Sequence, residues 1–303
     1  MTSEDNNTLV ALSAAMADAV EKAGASTVTV DARQRMPASG IAYSAGLVLT
    51  ADHVVERDED LSVLLPDGSR VSAVLAGRDP GNDLALLKLS GAGLVAAEAA
   101  ASPARIGQLA LALGRPSPQG IQASLGVVSA LGGPLRTGSG GLLEEYLRTD
   151  AIPYPGFSGG PLVDAAGRVL GLNTSGLARA VSLTIPVALA WQVAEALAQH
   201  GSVRRGYLGI RSQPVSINAA AQSLLGRSQV TGLLLVGVEE SSPAEQAGLM
   251  VGDILVGLQE AVIDDPDQLL VRLSGSIVGQ QAAVEVLRGG QPLKLSVTIG
   301  ERK

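Results

Sequence analysis

The chain has 303 residues, 46% apolar and 17% charged, which is enough for two domains with sizeable cores. Its net charge of −7 argues against nucleic acid or an anionic membrane surface as a partner, and the lack of cysteine excludes disulfides and thiolate metal sites. No apolar run reaches spanning length, so membrane insertion is not expected. The acidic run at residues 56–60 is typical of a solvated loop and not of a metal site, and we expect no cofactor.

The first predicted element is a helix over residues 7–24. Its apolar residues recur with helical spacing and share one face: Leu9, Leu12, Met16 and Val20. Gly24 follows as a stop signal. The acidic start of the chain is unlike a secretory signal. As written, the sequence therefore predicts a cytoplasmic protein, with an extracytoplasmic location as the alternative if the N-terminus is truncated.

Short β-type runs follow from residue 26 to residue 187. Turn signals such as Asp79-Pro80-Gly81 separate them. This spacing predicts an antiparallel barrel or sandwich and not a βαβ array. A helix over residues 188–200 closes the region, with Gly201 as its C-terminal cap.

A short polar linker, "SVRR", then separates two predicted domains, 1–203 and 204–303. Strand patterns resume at Gly206, and the stretches "SPAEQAGL" and "DPDQLLVRLSG" predict two helices. Gly289-Gly290 predicts a hairpin. The second domain is therefore expected to be a small α+β domain.

The stretch "GFSGG" contains a candidate nucleophile, Ser158. A serine nucleophile needs a positioned base, and the chain has two histidines, His53 and His200. One reading is a nucleophile elbow that uses Ser158, Asp164 and His200. An elbow needs a helix directly after the serine, whereas Gly159, Gly160 and Pro161 follow here and initiate a helix poorly. The context therefore argues against the elbow.

The other order of residues is His53, Asp83 and Ser158. Each of them lies at the end of a strand-like run or in a loop. Ser158 would attack the carbonyl, His53 would move the proton, and Asp83 would orient the imidazole. The flanking glycines would let the N–H groups of Gly156 and Ser158 converge on one oxyanion.

"TADHVV", "GNDLALLKL" and "PGFSGGPLVDAAGRVLGLNT" occur in that order and resemble the HtrA/DegP-type trypsin-like serine proteases. "RGYLGI" and "SSPAEQAGLMVGDILVGL" resemble the PDZ domain that follows the protease in that family. The resemblance implies a mainly β fold: a chymotrypsin-like double β-barrel followed by a small α+β PDZ domain.

The resemblance also implies a serine endopeptidase that cleaves unfolded or misfolded proteins, and assembly as a homo-trimer. The alternative is a proteolytically silent peptide-binding scaffold or holdase chaperone. In this fold Ile152 takes the place of the pocket floor, and Leu183, Thr184 and Ile185 would supply a wall. No charge lines that pocket, so small or medium aliphatic side chains are expected there.

The PDZ resemblance implies a second site, in which an extended peptide adds a strand beside a groove and a loop binds its C-terminal carboxylate. Tyr207, Leu208, Gly209 and Ile210 match that loop. The helix starting near Asp267 would form the other wall.

The chain departs from the family pattern around the serine. Phe157 and Tyr154 stand where members usually carry asparagine, and "TADHVV" lacks the usual Thr-Asn pair. The N-terminal segment also lacks the aromatic residues that often build the trimer contact, and it does not resemble the secretory signal that family members usually carry. Phe157 is the single phenylalanine of the chain. We expect it to be an apolar latch that packs the oxyanion loop, with a partly exposed ring on the leaving-group side of the cleft as the alternative.

Overall fold

The computed structural model describes residues 3–91, 93–137, 142–178, 181–203, 206–273 and 277–301. The contacts divide the chain into two compact units, Met1–Val203 and Arg204–Lys303. Among the helices in these described ranges, none is both long and apolar enough to cross a membrane.

The first unit contains a closed six-stranded antiparallel barrel near its N-terminus. Its strands are β1 (Thr27–Asp31), β2 (Ala38–Ser44), β3 (Leu47–Thr50), β4 (Leu61–Leu64), β5 (Arg70–Asp79) and β6 (Leu84–Leu89). They close in the order β1-β2-β3-β6-β5-β4. In β6, five of the six side chains are buried, because the helix Val187–His200 packs on the outer face of the strand. The sequence of this strand therefore lacks the apolar–polar alternation of a half-buried strand, and only Lys88 is polar and exposed.

A second closed barrel follows in the same unit. The strands after the first barrel are β7 (Leu109–Gly114), β8 (Gln122–Gly132), β9 (Leu135–Arg136), β10 (Leu142–Leu143), β11 (Tyr146–Thr149), β12 (Pro161–Val163), β13 (Val169–Ala178) and β14 (Val181–Pro186). Strands β9 and β10 pair only with each other, and the other six close in the order β11-β14-β13-β12-β7-β8. The double β-barrel predicted from the sequence is confirmed.

Two helices flank the barrels, α1 (Ser3–Gly24) and α2 (Val187–His200). Helix α2 packs on β5 and β6, and Gly201 ends it in the left-handed conformation with φ 72°. The predicted apolar face of α1 is partly wrong. Leu9 and Leu12 are 53% and 45% exposed, and the helix contacts the core only from Met16 onward, through its C-terminal half.

The second unit is a small antiparallel sheet with three short helices. Its strands are β15 (Gly206–Tyr207), β16 (Ile210–Ser216), β17 (Thr231–Val238), β18 (Ile254–Leu258), β19 (Ala261–Val262), β20 (Gln281–Arg288), β21 (Gln291–Thr298) and β22 (Gly300–Glu301). Its helices are α3 (Ala219–Leu225), α4 (Pro243–Gln246) and α5 (Pro266–Arg272). The main sheet has the order β16-β17-β18-β20-β21, so β16 is an edge strand. Gly289-Gly290 joins β20 to β21, as predicted.

Candidate active site

The three residues predicted as a triad all lie at strand ends of the first unit. His53 lies in a short 3₁₀ helix (Asp52–Val54) directly after β3, and Asp83 immediately precedes β6. Ser158 lies in the loop between β11 and β12. Because β3 and β6 are paired neighbours, the first barrel carries the histidine and the acid side by side. The second barrel carries the serine.

His53 and Asp83 form a directly hydrogen-bonded pair. Nδ1 of His53 lies 2.8 Å from Oδ2 of Asp83 and 3.1 Å from Oδ1. The backbone N–H of His53 also donates to Oδ1, at 2.8 Å. Asp83 is 4% exposed, so the carboxylate meets the ring in a buried setting. With the Nδ1 proton directed at the carboxylate, Nε2 is left as the acceptor that a general base needs.

Residues 174–176 of β13 support this pair, and sequence reasoning assigned them no role. The hydroxyl of Thr174 donates to Oδ2 of Asp83 and accepts the backbone N–H of Gly176 at 3.0 Å. A Cβ atom at Gly176 would lie 2.6 Å from Nδ1 of His53, so only glycine fits there without displacing the imidazole. The available signal was the polar run "NTSG" within an otherwise apolar strand.

The hydroxyl of Ser158 has a partner other than the histidine. Its Oγ lies 3.1 Å from Oγ of Ser175. Among the hydrogen bonds of the described residues, none joins Ser158 to the ring of His53. The carbonyl of Ser158 accepts the backbone N–H of Ser39 at 3.1 Å, which ties the serine loop to β2 of the first barrel.

The loop before Ser158 is held in place through its carbonyl groups. Gly156 has φ 86°, a left-handed conformation that favours glycine. Its carbonyl accepts the hydroxyl of Ser39 at 2.7 Å, and that hydroxyl in turn accepts the backbone N–H of Arg115 at 2.8 Å. Within the described part of the chain, the N–H groups of Gly156 and Ser158 donate no hydrogen bond to protein. Both donors are therefore available to a substrate oxygen.

Phe157 is fully buried, at 0% exposure. Its ring meets Tyr154 edge-on with a centroid distance of 5.5 Å and packs in a cluster of the second barrel. Gly114 lies against the ring, and a Cβ atom there would overlap it. The buried packing expected of a latch is found, and the alternative of a partly exposed ring in the cleft is wrong.

The predicted substrate pocket needs correction. Leu183 and Ile185 are 3% and 0% exposed and belong to the hydrophobic core, because alternate residues of a strand share a face and this face of β14 points inward. Thr184 is also buried and donates its hydroxyl to Oδ1 of Asn173 at 2.9 Å. Ile152 is 61% exposed and so does not form a closed floor.

The elbow arrangement of Ser158, Asp164 and His200 is not assembled. A strand, β12, follows the serine where an elbow would have a helix. Asp164 uses its carboxylate within its own hairpin turn, bonded to the side chain of Arg168 at 2.9 Å. His200 is an exposed residue at the end of α2.

Asp52 is a second carboxylate beside the histidine. Burial raises the pKa of Asp52 above its ordinary value, while the positive charge of Arg78 acts in the opposite direction. The nearby carboxylates of Asp83 and Asp79 add to the rise. Nη1 of Arg78 lies 3.6 Å from Oδ1 of Asp52, beyond hydrogen-bonding distance.

In the second unit, the predicted carboxylate-binding loop joins β15 to β16. Leu208 is buried, and its carbonyl accepts the backbone N–H of Ala244 at 2.8 Å. Gly209 has φ 80°, and a Cβ atom there would overlap the side chain of Ser242. In the described residues, the N–H groups of Leu208 and Gly209 donate no hydrogen bond to protein. Helix α5 packs beside the edge strand β16, so an open strand edge and a helix lie next to this loop.

Comparisons with known proteins agree with this architecture. Family models match the chain as a trypsin-like peptidase domain over residues 38–172 and a PDZ domain over residues 206–299. The solved HtrA-type protease AlgW, in complex with a decapeptide, is 30% identical with a TM-score of 0.79, over 95% of this chain and 99% of AlgW. The chain belongs to the HtrA/DegP family of trypsin-like serine proteases. The serine endoprotease of Yersinia pestis is also 30% identical, with a TM-score of 0.77, over 95% of this chain and 98% of its own.

Curated relatives place this HtrA/DegP chain among longer proteins. A protein of Ectopseudomonas mendocina named probable periplasmic serine endoprotease DegP-like is 37% identical over 86% of this chain and 56% of its own length. The protein of the same name from Brucella suis is 33% identical over 84% of this chain and 50% of its own. The chain thus spans about half the length of the curated relatives it matches.

Proposed function

We propose that the chain is a serine endopeptidase whose triad is His53, Asp83 and Ser158. The observation that carries this proposal is the contact of 2.8 Å between Nδ1 of His53 and the buried carboxylate of Asp83, on the barrel that faces the serine loop. A bonded and buried carboxylate prepares Nε2 to accept a proton. The resting hydroxyl of Ser158 bonds to Ser175, so it must rotate towards Nε2 before it attacks a carbonyl.

The remaining parts of the reaction follow from the same loop. As Ser158 bonds to the carbonyl carbon, the carbonyl oxygen takes the negative charge, and the N–H groups of Gly156 and Ser158 are the donors for it. His53 then gives the proton to the leaving amine as the C–N bond breaks, and water activated by His53 releases the acyl group from Ser158. The hydroxyl of Thr174 and the close approach of Gly176 hold the carboxylate of Asp83 and the ring of His53 in their bonded positions.

The substrate class we infer is unfolded or misfolded polypeptide, with the second unit binding peptide C-termini. The edge strand β16 can pair with an extended peptide, and the N–H groups of Leu208 and Gly209 can bind a terminal carboxylate. The AlgW structures were solved with a decapeptide and a tripeptide, which supports peptide binding here by analogy. We infer a homo-trimer from the family resemblance alone.

Relatives named as periplasmic endoproteases favour an extracytoplasmic location over the cytoplasmic one that the N-terminal sequence predicts. Fractionation of the source cells, with an antibody against the chain, would decide between the two compartments. Recovery with cytoplasmic markers would contradict the extracytoplasmic location.

The test of the proposed activity is labelling by a fluorophosphonate together with turnover of an unfolded polypeptide. We expect Ser158→Ala to abolish both and His53→Ala to remove nearly all turnover. His200→Ala is the matched control and should stay within about a few-fold of wild type, since this residue lies exposed at a helix end. A large loss in a folded His200→Ala variant would refute the triad.

A silent scaffold or holdase is the second candidate, favoured by the bond of Ser158 to Ser175 and not to His53. It predicts suppression of aggregation with no labelling by the reagent. Labelling that depends on Ser158 would exclude it.

A further inference from the structure

The strand that supports the histidine also carries the present partner of the nucleophile. Ser175 lies between Thr174, which bonds to Asp83, and Gly176, which lies against His53. Thr174 is 2% exposed, and Leu177 on the other side is 3% exposed and part of the core. An exposed serine held between buried anchors has a backbone fixed by its neighbours. Its hydroxyl is therefore presented to Ser158 at a defined position.

The hydroxyl of Ser158 has one proton to donate, and two acceptors compete for it. One is Oγ of Ser175, 3.1 Å away, in a contact in which either hydroxyl can be the donor. The other is Nε2 of His53. Among the described residues, no hydrogen bond joins Ser158 to this ring. A serine hydroxyl is activated only when its proton goes to the base. When Ser158 is the donor in this contact, its proton is directed to Ser175 and not to the base, and the nucleophile is unreactive.

We propose that Ser175 is a positioning residue that holds Ser158 away from His53 until substrate or reagent draws the hydroxyl to the base. This inference rests on the proposed triad and adds a competing hydrogen bond to it. The reacting fraction of the enzyme is the fraction in which Ser158 has left Ser175. Removal of the Ser175 hydroxyl should increase that fraction.

The expected size follows from the strength of one neutral hydrogen bond in a partly exposed position. Such a bond changes an equilibrium by about 2- to 10-fold. We expect Ser175→Ala and Ser175→Gly to react with a fluorophosphonate about 2- to 10-fold faster than wild type. Ser175→Thr keeps a hydroxyl at the same backbone position and should return the rate to that of wild type. A small fluorophosphonate without a peptide part reports on the nucleophile and not on substrate binding.

Melting temperatures of the variants, each made in the 303-residue chain, show whether each one folds, and Ser90→Ala is the matched control. Ser90 is also exposed and donates a hydroxyl hydrogen bond, to the carbonyl of Ser72, at a distant edge of the first barrel. It should leave the labelling rate unchanged. A peptide substrate should show the same increase in kcat/KM for Ser175→Ala as the reagent shows.

The outcomes separate this inference from the proposed function. Labelling of wild type that depends on Ser158, with Ser175→Ala and Ser175→Gly folded but no faster, would overturn the role of Ser175 and leave the triad standing. Equal acceleration by Ser175→Thr would also overturn it, because the hydroxyl would then not be the cause. An unreactive wild type with a reactive Ser175→Ala would support a strong hold. If neither reacts, the proposed function and this inference both fail.

Discussion

Phe157→Ala tests whether a buried ring controls the loop that carries the proposed oxyanion donors. The ring is 0% exposed, and Phe157 lies between Gly156 and Ser158, whose N–H groups are the proposed oxyanion donors. Removing a buried phenylalanine typically costs about 3–5 kcal/mol, and loss of the edge contact to Tyr154 accounts for about 0.5–1.5 kcal/mol of that sum. Loss of about 1.5–3 kcal/mol from the loop alone would shift its equilibrium by about 10- to 100-fold. We expect kcat and the rate of fluorophosphonate labelling to fall by that factor.

The assay uses a short substrate with nothing beyond the leaving group, so that contacts on that side of the cleft do not contribute. Leu170→Ala is the matched control, because Leu170 belongs to the same cluster but lies on β13, away from the oxyanion donors. It should lower the melting temperature by a similar amount with little effect on labelling. A folded Phe157→Ala variant with wild-type kcat and labelling rate would refute the reasoning, as would equal losses of activity in both variants.

Three further predictions concern single residues. Gly176→Ala should displace the imidazole of His53 and lower kcat/KM by about 100-fold, with a small change in melting temperature. A variant with wild-type kcat/KM would show that the close contact is not needed. A Cβ atom at position 209 would overlap the side chain of Ser242, so Gly209→Ala should weaken binding of peptides with a free C-terminal carboxylate by about tenfold or more. Fluorescence anisotropy measures this binding, with the amidated peptide as the comparison. Gly226→Ala, also at positive φ but in open space, should not change binding. Burial raises the pKa of Asp52, so its ionisation costs folding free energy and the stability of the protein falls as pH rises from about 4. Asp52→Asn should therefore have a higher melting temperature than wild type at pH 7 but not below pH 4. Identical shifts in melting temperature at both pH values would contradict this.

Much of the fold could be predicted because its signals are local. Strand periodicity, turn residues and the glycine after α2 lie within a few positions of one another, and the order of His53, Asp83 and Ser158 restricts the architecture further. Helix α3 was missed, although Asn218 caps it by accepting the N–H of Ala221. A short helix between two strands gives too few turns for its periodicity to be read.

The supporting contacts of the site could not be predicted because they join distant segments. The hydroxyl of Ser39 links the carbonyl of Gly156 to the backbone of Arg115, and nothing in the local sequence of any of the three indicates the others. The burial of the predicted pocket wall also depends on distant segments. Which face of β14 points inward depends on closure of the barrel, and this closure buries Leu183 and Ile185.

The absence of a side chain at Gly114 restricts which substitutions this position and position 157 can accept. A methyl group there would occupy the volume of the Phe157 ring, so neither position can change freely while the other is kept. A sequence with a larger residue at 114 needs a smaller residue than phenylalanine at 157, and one with a smaller residue at 157 leaves a void beside Gly114. Substitutions at the two positions are therefore coupled, and the positions should co-vary among homologous sequences although strands β8, β9, β10 and β11 all lie between them in the chain.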